Sequence, residues 1–209
     1  MTSGKFITFE GGEGAGKSTQ VRLLAEALAG QGIEVVQTRE PGGAPQAEVL
    51  RELLITGDTD RWSAGAEALL NYAARDDHLR TTIRPALQRG AWVLCDRFSD
   101  STRAYQGLAG DVGLEMIDAI HQEIVGPTDP DLTLIMNIAP EVGLDRAHAR
   151  GDANRFENKG LAFHKRLQES FLEIAKSFPD RCVVIDATGE IEEISQAIWS
   201  AVESRLLNA

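Results

Sequence analysis

The sequence is poor in several features that define large classes of protein. Of its 209 residues only two are cysteines, Cys95 and Cys182, and each lies inside an apolar run, which favours two buried, reduced thiols over a disulfide or a metal-binding pair. Basic residues number 21 against 32 acidic ones, and a net charge of −11 argues against nucleic acid or an anionic membrane as partner, because those surfaces attract positive charge. Any phosphate ligand must therefore be held by local cations.

Long apolar runs are also missing. The N-terminus has Lys5 and then the short run Phe6 to Phe9, ended by Glu10, so we expect neither a signal peptide nor a membrane span, and we expect a cytoplasmic protein. The length and a hydrophobic content of 43% suit one buried core, so we expect a single domain over residues 1–209.

What the sequence does have is a regular alternation of short apolar runs and longer segments with helical spacing. This alternation predicts a five-stranded parallel sheet flanked by helices, in three layers α/β/α. Ser63 is the predicted cap of a long helix that Pro85 should kink or break. The predicted strands are Lys5 to Phe9, Glu34 to Thr38, Trp92 to Asp96, Leu132 to Ile138 and Cys182 to Asp186.

A phosphate-binding loop follows the first predicted strand. Gly11 and Gly16-Lys17-Ser18 fit the pattern G-x-x-x-x-G-K-[ST] directly before a helix. In such a P-loop the backbone N–H groups face one anion, the lysine reaches the β and γ phosphates, and the Ser18 hydroxyl binds Mg²⁺. The loop predicts a P-loop NTPase fold, a nucleoside triphosphate and Mg²⁺. The residues predicted to bind the nucleotide are Gly11, Gly12, Glu13, Gly14, Ala15, Gly16, Lys17, Ser18 and Thr19.

Two residues in or beside the phosphate-binding loop, Glu10 and Glu13, carry negative charge. Since like charges repel, we do not expect them to touch phosphate directly. They either act through magnesium, water or an acceptor hydroxyl, or are solvated.

Further charged residues end the second and third predicted strands. Arg39 and Arg97 should reach the carboxyl edge of the sheet beside the P-loop, where open α/β sheets bind ligands, and arginine grips phosphate bidentately. A structural ion pair is the alternative role for each of them. Asp96 has the position of a second magnesium ligand. A guanine-reading N-K-x-D is missing, because Asn158-Lys159-Gly160-Leu161 lacks the aspartate, and this argues against a switch GTPase.

A third group of cations, from Arg146 to Arg155, lies in a polar segment punctuated by Gly151. We expect a mobile lid over residues 146–158 that brings arginines to two polyanionic ligands. Solvated surface charge is the alternative for this segment taken alone.

Longer motifs identify a resemblance. "FEGGEGAGKSTQ", "TREPGG", "AARDDH", "DRFSDSTRAYQG" and "IDATG" together resemble the bacterial thymidylate kinase family, whose members pass the γ-phosphate of ATP to dTMP. The resemblance covers nearly the whole chain. It implies dTMP kinase activity that supplies dTTP synthesis, with ATP and Mg²⁺, and a homodimer paired through helix faces.

The resemblance also implies residue roles on the acceptor side. Arg97 would hold the dTMP phosphate, Arg75 would read the thymine edge, and Tyr105 would crowd the 2′ position of the sugar. Ser101, Thr102 and Gln106 would line the base pocket, and Glu10 and Arg39 are further candidates for dTMP binding.

Catalysis, by the same resemblance, needs an arginine that the P-loop here lacks. The lid must supply it, and Arg150 and Arg155 are the candidates; with Lys17 and Arg97 they make up the predicted catalytic set. Asn154 stands where the family more often has aspartate, which could loosen the orientation of Arg155.

One position departs from the family in the base pocket. Asn71 occupies the place, four residues before Arg75, of a phenylalanine that stacks on thymine, and Tyr72 is next to it. Either Tyr72 swings in or base stacking is weaker. Another nucleotide or deoxynucleoside kinase is therefore an alternative function. A regulatory or binding protein with a P-loop that hydrolyses ATP without an acceptor is an alternative from another class.

Overall fold

The computed structural model describes residues 4–149, 151 and 155–208. The strands are β1 (Phe6–Glu10), β2 (Val35–Arg39), β3 (Trp92–Asp96), β4 (Leu132–Asn137) and β5 (Cys182–Asp186). The helices are α1 (Lys17–Gly30), α2 (Pro45–Ile55), α3 (Ala64–His78), α4 (Arg84–Gln88), α5 (Ser99–Thr102), α6 (Leu114–Ile124), α7 (Pro140–His148), α8 (Leu161–Ser177) and α9 (Ile191–Val202). Three π-helical segments, Leu79–Ile83, Arg103–Leu108 and Glu203–Leu207, extend α3, α5 and α9.

The strands form one parallel sheet in the order β2-β3-β1-β4-β5. This confirms the predicted fold class. β1 and β2 each begin and end one residue later than expected, and β4 ends one residue earlier, at Asn137. Because Glu10 is thereby the last residue of a fully buried strand, a solvated Glu10 is excluded.

Alternate side chains of the central strands face different helices. Ile7 and Phe9 lie in the core formed with α1 and α9, whereas Phe6 lies in the core formed with α3, α4 and α6. Side chains along a strand point alternately to the two faces, so burial on both faces requires the continuous apolar runs seen in the sequence. The result is a three-layer arrangement in which the carboxyl ends of all five strands reach one edge.

The long helix after Ser63 confirms the predicted cap and excludes one of the two effects expected of Pro85, a break. Ser63 Oγ accepts a hydrogen bond from the Ala66 backbone N–H at 3.2 Å, as an N-cap should. Pro85 does not break the helix. Instead a π-helical turn precedes α4, and the Arg84 N–H donates to the Leu79 carbonyl; the wider turn accommodates the residue that lacks an N–H.

Both cysteines are buried and free, as expected. No helix within the described ranges combines the length and the apolar character needed to cross a membrane.

The P-loop packs backbone to backbone on α7, the helix that leads to the lid segment. Gly14 has φ of +65°, and a Cβ there would overlap the Gly143 carbonyl oxygen. A Cβ on Gly143 would in turn overlap the Glu13 carbonyl oxygen. The two glycines therefore set how closely the loop approaches α7.

This contact predicts that alanine at position 143 destabilises the protein, although alanine normally favours a helix. Gly143→Ala should lower the free energy of unfolding by about 1–3 kcal/mol, because overlap with a fixed backbone outweighs the gain in helix propensity. Gly65→Ala in α3 is the matched control: no atom lies within 4 Å of the added Cβ, so it should stabilise by about 0.5–1 kcal/mol. Urea unfolding measures both, and stabilisation by Gly143→Ala would contradict the proposed contact.

Candidate active site

A cavity of about 290 Å³ opens at the carboxyl edge of the sheet. Its walls come from the P-loop, the segment after β2, one face each of α2 and α3, and the segment after β3. The lining residues are Glu13 to Thr19, Arg39, Glu40, Pro41, Arg51, Ile55, Asn71, Arg75, Asp96, Arg97, Phe98, Ser101, Thr102, Tyr105, Gln106, Phe156 and Glu157. Motifs that are far apart in the sequence therefore share one cavity.

The P-loop supplies one end of the cavity. Gly16 adopts the left-handed conformation (φ 82°) immediately before α1 begins at Lys17, so the first N–H groups of α1 are available to an anion. Lys17 Nζ donates to the Gly11 and Gly12 carbonyls at 3.1 and 2.7 Å. Burial, followed by the charge of Arg97, lowers the pKa of Lys17 to about 8. Of the residues predicted to bind nucleotide, Gly11 and Gly12 line a smaller adjoining cavity instead.

Ser18 and Asp96, the predicted magnesium ligands, are in contact. The Ser18 hydroxyl donates to Asp96 Oδ2 at 2.5 Å. Hydroxyl and carboxylate oxygens suit Mg²⁺, which keeps several waters and takes further oxygens from phosphates. Among the described residues no group of three His, Cys, Asp or Glu side chains could hold a metal by itself.

Arg97 connects the P-loop with the segment after β3. It adopts a left-handed conformation with φ of 69°, and its guanidinium donates to the Gly11 carbonyl at 2.8 Å, to Ser101 Oγ at 3.2 Å and to Glu13 Oε1 at 3.0 Å. A left-handed non-glycine residue is strained and persists where its surroundings require it. Arg97 is therefore a fixed cation beside the P-loop.

Glu13 is the counter-ion of that arginine. Its Oε1 also accepts from the Tyr105 hydroxyl at 2.7 Å. Burial alone would raise the pKa of Glu13, but the charges of Arg97 and Lys17 outweigh it and lower the pKa to about 2. The carboxylate is thus ionised at neutral pH and holds both Arg97 and Tyr105 in place.

Two more arginines, Arg39 and Arg51, line the cavity together with Arg97. Arg39 donates to Glu48 Oε2 at 2.9 Å, and Arg51 donates to the Pro41 carbonyl at 2.7 Å. Burial and the neighbouring charge of Arg39 lower the pKa of Arg51. Arg51 was missed in the sequence because it lies inside α2, among other charged helical residues, rather than at the end of a strand. With Lys17 and Arg97 it makes the cavity locally positive in an acidic protein.

The other end of the cavity is formed by α3 and by the helical segment after β3. Arg75 is 2% exposed; its Nε donates to Glu40 Oε2 at 2.7 Å and its Nη2 to Thr102 Oγ1 at 3.1 Å. Its remaining nitrogen, Nη1, is buried with no hydrogen-bond partner in the described structure. A buried donor without a partner is costly, so this nitrogen is suited to a ligand acceptor.

Glu10 does not line the cavity, which corrects its assignment to direct acceptor binding. Its two oxygens accept from the Phe98 backbone N–H at 2.8 Å and the Ser101 hydroxyl at 2.6 Å. Burial, followed by the charge of Asp100, raises the pKa of Glu10 to about 7. Glu10 supports two wall residues from behind.

Tyr72 is likewise not a wall residue. It is 2% exposed, its hydroxyl donates to the Ile117 carbonyl at 3.3 Å, and its ring packs in the core under the cavity. Tyr72 therefore does not replace the missing aromatic at position 71. Asn71 does line the cavity, and its Nδ2 donates to the Glu67 carbonyl at 2.9 Å.

The lid arginines require a further correction. Arg155 is 2% exposed, and its three nitrogens donate to the Leu54 carbonyl, the Thr59 carbonyl and Glu67 Oε1. A guanidinium engaged on every nitrogen outside the cavity does not contact a transferring phosphate in this conformation. Arg150 and Asn154 lie outside the described residues, so the predicted role of Arg150 stays a prediction.

The lid nevertheless reaches the cavity. Phe156 and Glu157 line it, and the Phe156 ring contacts Tyr105 edge to face, with centroids 5.7 Å apart. Both lie inside the predicted lid segment, residues 146–158, but neither was named as a site residue, because the signal in that segment was its group of arginines.

By class, the parallel sheet, the P-loop and the further arginines that line the same cavity define a P-loop nucleotide kinase. Comparisons with known proteins identify the family. Residues 9–198 match the family described as thymidylate kinase. A thymidylate kinase of Caulobacter vibrioides is 59% identical over 206 residues, covering 99% of each chain. One of Bradyrhizobium sp. (strain ORS 278) is 53% identical, covering 99% of this chain and 92% of the relative.

A solved structure agrees. The crystal structure of thymidylate kinase from Ehrlichia chaffeensis has a TM-score of 0.80 and 32% identity, covering 96% of this chain and 99% of that chain. The chain therefore belongs to the thymidylate kinase family.

The Arg97–Glu13 pair predicts that Glu13→Gln destabilises the protein by an amount that depends on pH. Glu13→Gln should lower the free energy of unfolding at pH 7 by about 3 kcal/mol, because Arg97 loses its buried counter-ion. The folded pKa of Glu13, about 2, lies below the ordinary 4.5, so the carboxylate stabilises fully above pH 4.5. Its contribution then disappears as the pH falls towards 2.

Urea unfolding of both proteins at pH 7 and pH 3 measures this effect, and the difference should shrink at pH 3. Tyr105→Phe, which leaves the ion pair intact, is the control. A deficit of Glu13→Gln that is the same at both pH values would contradict the assignment.

Proposed function

We propose that the protein transfers the γ-phosphate of ATP to dTMP, giving dTDP and ADP, as a single domain. The observation that carries this proposal is that one cavity holds, besides the P-loop, further arginines and a buried donor, Arg75 Nη1, that has no partner in the described structure. A protein that only hydrolyses ATP has no need of this additional part of the cavity. Membership of the thymidylate kinase family supports dTMP as the acceptor.

ATP binds at the P-loop, with Lys17 on the β and γ phosphates and the α1 N-terminus facing the anion. Lys17 Nζ exchanges its bonds to the Gly11 and Gly12 carbonyls for phosphate oxygens. Ser18 and Asp96 would hold Mg²⁺, which when bound neutralises charge on the β and γ phosphates.

The acceptor phosphate binds among Arg97, Arg39 and Arg51. Arg97 is preorganised by Glu13 and the Gly11 carbonyl, so little reorganisation is needed when the anion arrives. Tyr105, held by Glu13, lies beside the sugar and disfavours a 2′-hydroxyl. The thymine ring lies against Arg75, Ser101, Thr102 and Gln106, with Asn71 giving no aromatic face.

The chemical step needs positioning and charge rather than a general base. A phosphate monoester has a second pKa of about 6, so an oxygen of the dTMP phosphate is already a nucleophile at neutral pH. It forms a bond to the γ-phosphorus as the bond to the bridging oxygen of ADP breaks. Lys17 stabilises the charge on the ATP phosphates and Arg97 the charge on the acceptor phosphate. Arg150 is the lid arginine proposed to reach the transferring group.

We also propose a cytoplasmic homodimer. Exposed apolar side chains lie on three neighbouring helices: Val49 and Leu53 on α2, Leu69 on α3 and Met116 on α6. Exposed apolar side chains on helices that pack against one another favour association. Sedimentation equilibrium tests this proposal, and a monomeric mass would contradict it.

The first prediction for the proposed activity concerns the acceptor. With Mg·ATP and dTMP, dUMP, dCMP, dGMP, AMP, CMP or thymidine offered separately, dTMP should be converted fastest, well ahead of dUMP. The measurement is the nucleotide product formed in each reaction. Another preferred acceptor would indicate a different nucleotide kinase, and ATP loss that is indifferent to all acceptors would indicate a P-loop hydrolase.

The second prediction concerns Arg97. Arg97→Ala should weaken dTMP binding about 10- to 100-fold, the scale of a charge-assisted contact, and weaken binding of a non-hydrolysable ATP analogue far less. Titration calorimetry with each ligand measures both affinities. Glu13→Gln/Arg97→Ala is the control, because it removes the carboxylate that the single variant leaves unpaired, and equal losses for the two ligands in both variants would refute the assignment.

A further inference from the structure

Glu67, in the first turn of α3, is buried at 1% exposure although it is a carboxylate. Both of its oxygens are in use: Oε1 accepts from Arg155 Nη2 and lies 3.6 Å from Lys159 Nζ, and Oε2 accepts from Gln106 Nε2 at 2.8 Å. One side chain thus joins Arg155, in the lid segment, to Gln106 in the wall of the cavity. The proposed phosphate chemistry does not use Glu67.

The contact with Gln106 determines how the Gln106 amide is oriented. A carboxylate only accepts hydrogen bonds, whereas a primary amide has a donor end and an acceptor end. The NH₂ end of Gln106 must therefore face Glu67. The carbonyl Oε1 is then the end that remains to interact with a ligand in the cavity that Gln106 lines.

Two helical rows bring this amide next to Arg75. Residues four apart lie on one face of a helix, so Glu67, Asn71 and Arg75 form one row on α3, and Thr102 and Gln106 form another on α5 and its π-helical extension. The rows are joined at both ends, by the Glu67–Gln106 and Arg75–Thr102 hydrogen bonds. Asn71 lies between these two links and faces the cavity.

The cavity wall consequently offers one donor and one acceptor. The donor is Arg75 Nη1, which is buried without a partner in the described structure, and the acceptor is Gln106 Oε1. A pyrimidine with a carbonyl at C4 and N–H at position 3 complements this pair. Cytosine presents the opposite groups at both positions, an amine and an unprotonated ring nitrogen.

We propose that Glu67 is a specificity-determining positioning residue: by holding the Gln106 amide in one orientation, it selects acceptor bases with N–H at position 3 against cytosine. The inference rests on the proposed dTMP kinase activity and deepens it. Arg155 has a part in this arrangement, because its bond to Oε1 keeps the carboxylate from turning away from Gln106. Arg155, which the sequence predicted to act on phosphate, thus helps to hold the side chains that contact the base.

The test is the ratio of kcat/KM for dTMP to kcat/KM for dCMP. In Glu67→Gln the new amide can donate or accept, so Gln106 is free to turn its NH₂ towards the base. The ratio should fall at least about tenfold, the scale of one buried hydrogen bond. Gln106→Met should lower the ratio similarly, and Glu67→Gln/Gln106→Met should lower it no further, because Glu67 acts through Gln106.

Glu48→Gln is the matched control. Glu48 is also a helix carboxylate that holds an arginine, Arg39, and the Gly43 N–H, but it acts at the phosphate end of the cavity. Since dTMP and dCMP carry the same phosphate, this variant should change both activities and leave their ratio unchanged.

Three outcomes would overturn the proposal. An unchanged ratio in a folded Glu67→Gln, or additive losses in the double variant, would contradict positioning through Gln106 while leaving the dTMP kinase activity intact. A wild-type enzyme that does not prefer dTMP to dCMP would overturn both. If thermal unfolding shows that Glu67→Gln is not folded, Glu67→Asp serves instead: it keeps the charge opposite Arg155 but shortens the reach to Gln106, and an unchanged ratio there contradicts the proposal equally.

Discussion

The ion pair between Arg97 and Glu13 is the interaction on which the site depends. It joins the loop after β1 to the segment after β3, and both of these line the cavity. Removing either side chain would leave the other as an unpaired charge. This would be costly because both side chains are largely buried. Glu13 also holds the Tyr105 hydroxyl, so one carboxylate positions two residues of the cavity wall, Arg97 and Tyr105.

Basic side chains gather at the cavity although the chain as a whole is acidic. The chain as a whole carries −11, which opposes attraction to large polyanions, while Lys17, Arg39, Arg51 and Arg97 converge on one cavity. Arginines in a partly dry site bind phosphate more strongly than the same charges on an open surface. Local convergence therefore overrides the sign of the whole protein for small phosphate ligands.

Much of the fold could be predicted from the sequence. Apolar runs and helical spacing are local signals, so the strands, their parallel arrangement and the Ser63 cap were confirmed, and only strand ends shifted by one residue. The P-loop could be predicted for the same reason, since its function depends on residues adjacent in the chain. Arg51, Phe156 and Glu157 were not named in advance because only packing decides which side chains of α2 and of the lid segment line the cavity.

The sequence by itself determined the chemistry available: a nucleotide-binding loop, strand-end arginines, and motifs that resemble one kinase family. Only the tertiary structure decided which polar groups face a ligand and which face each other. Glu10 supports Ser101 and Phe98 from inside the protein, Tyr72 packs in the core, and Arg155 binds Glu67 rather than phosphate. The physical reason is that a buried polar side chain must satisfy its hydrogen bonds with whatever the fold places beside it, and those neighbours come from distant parts of the chain.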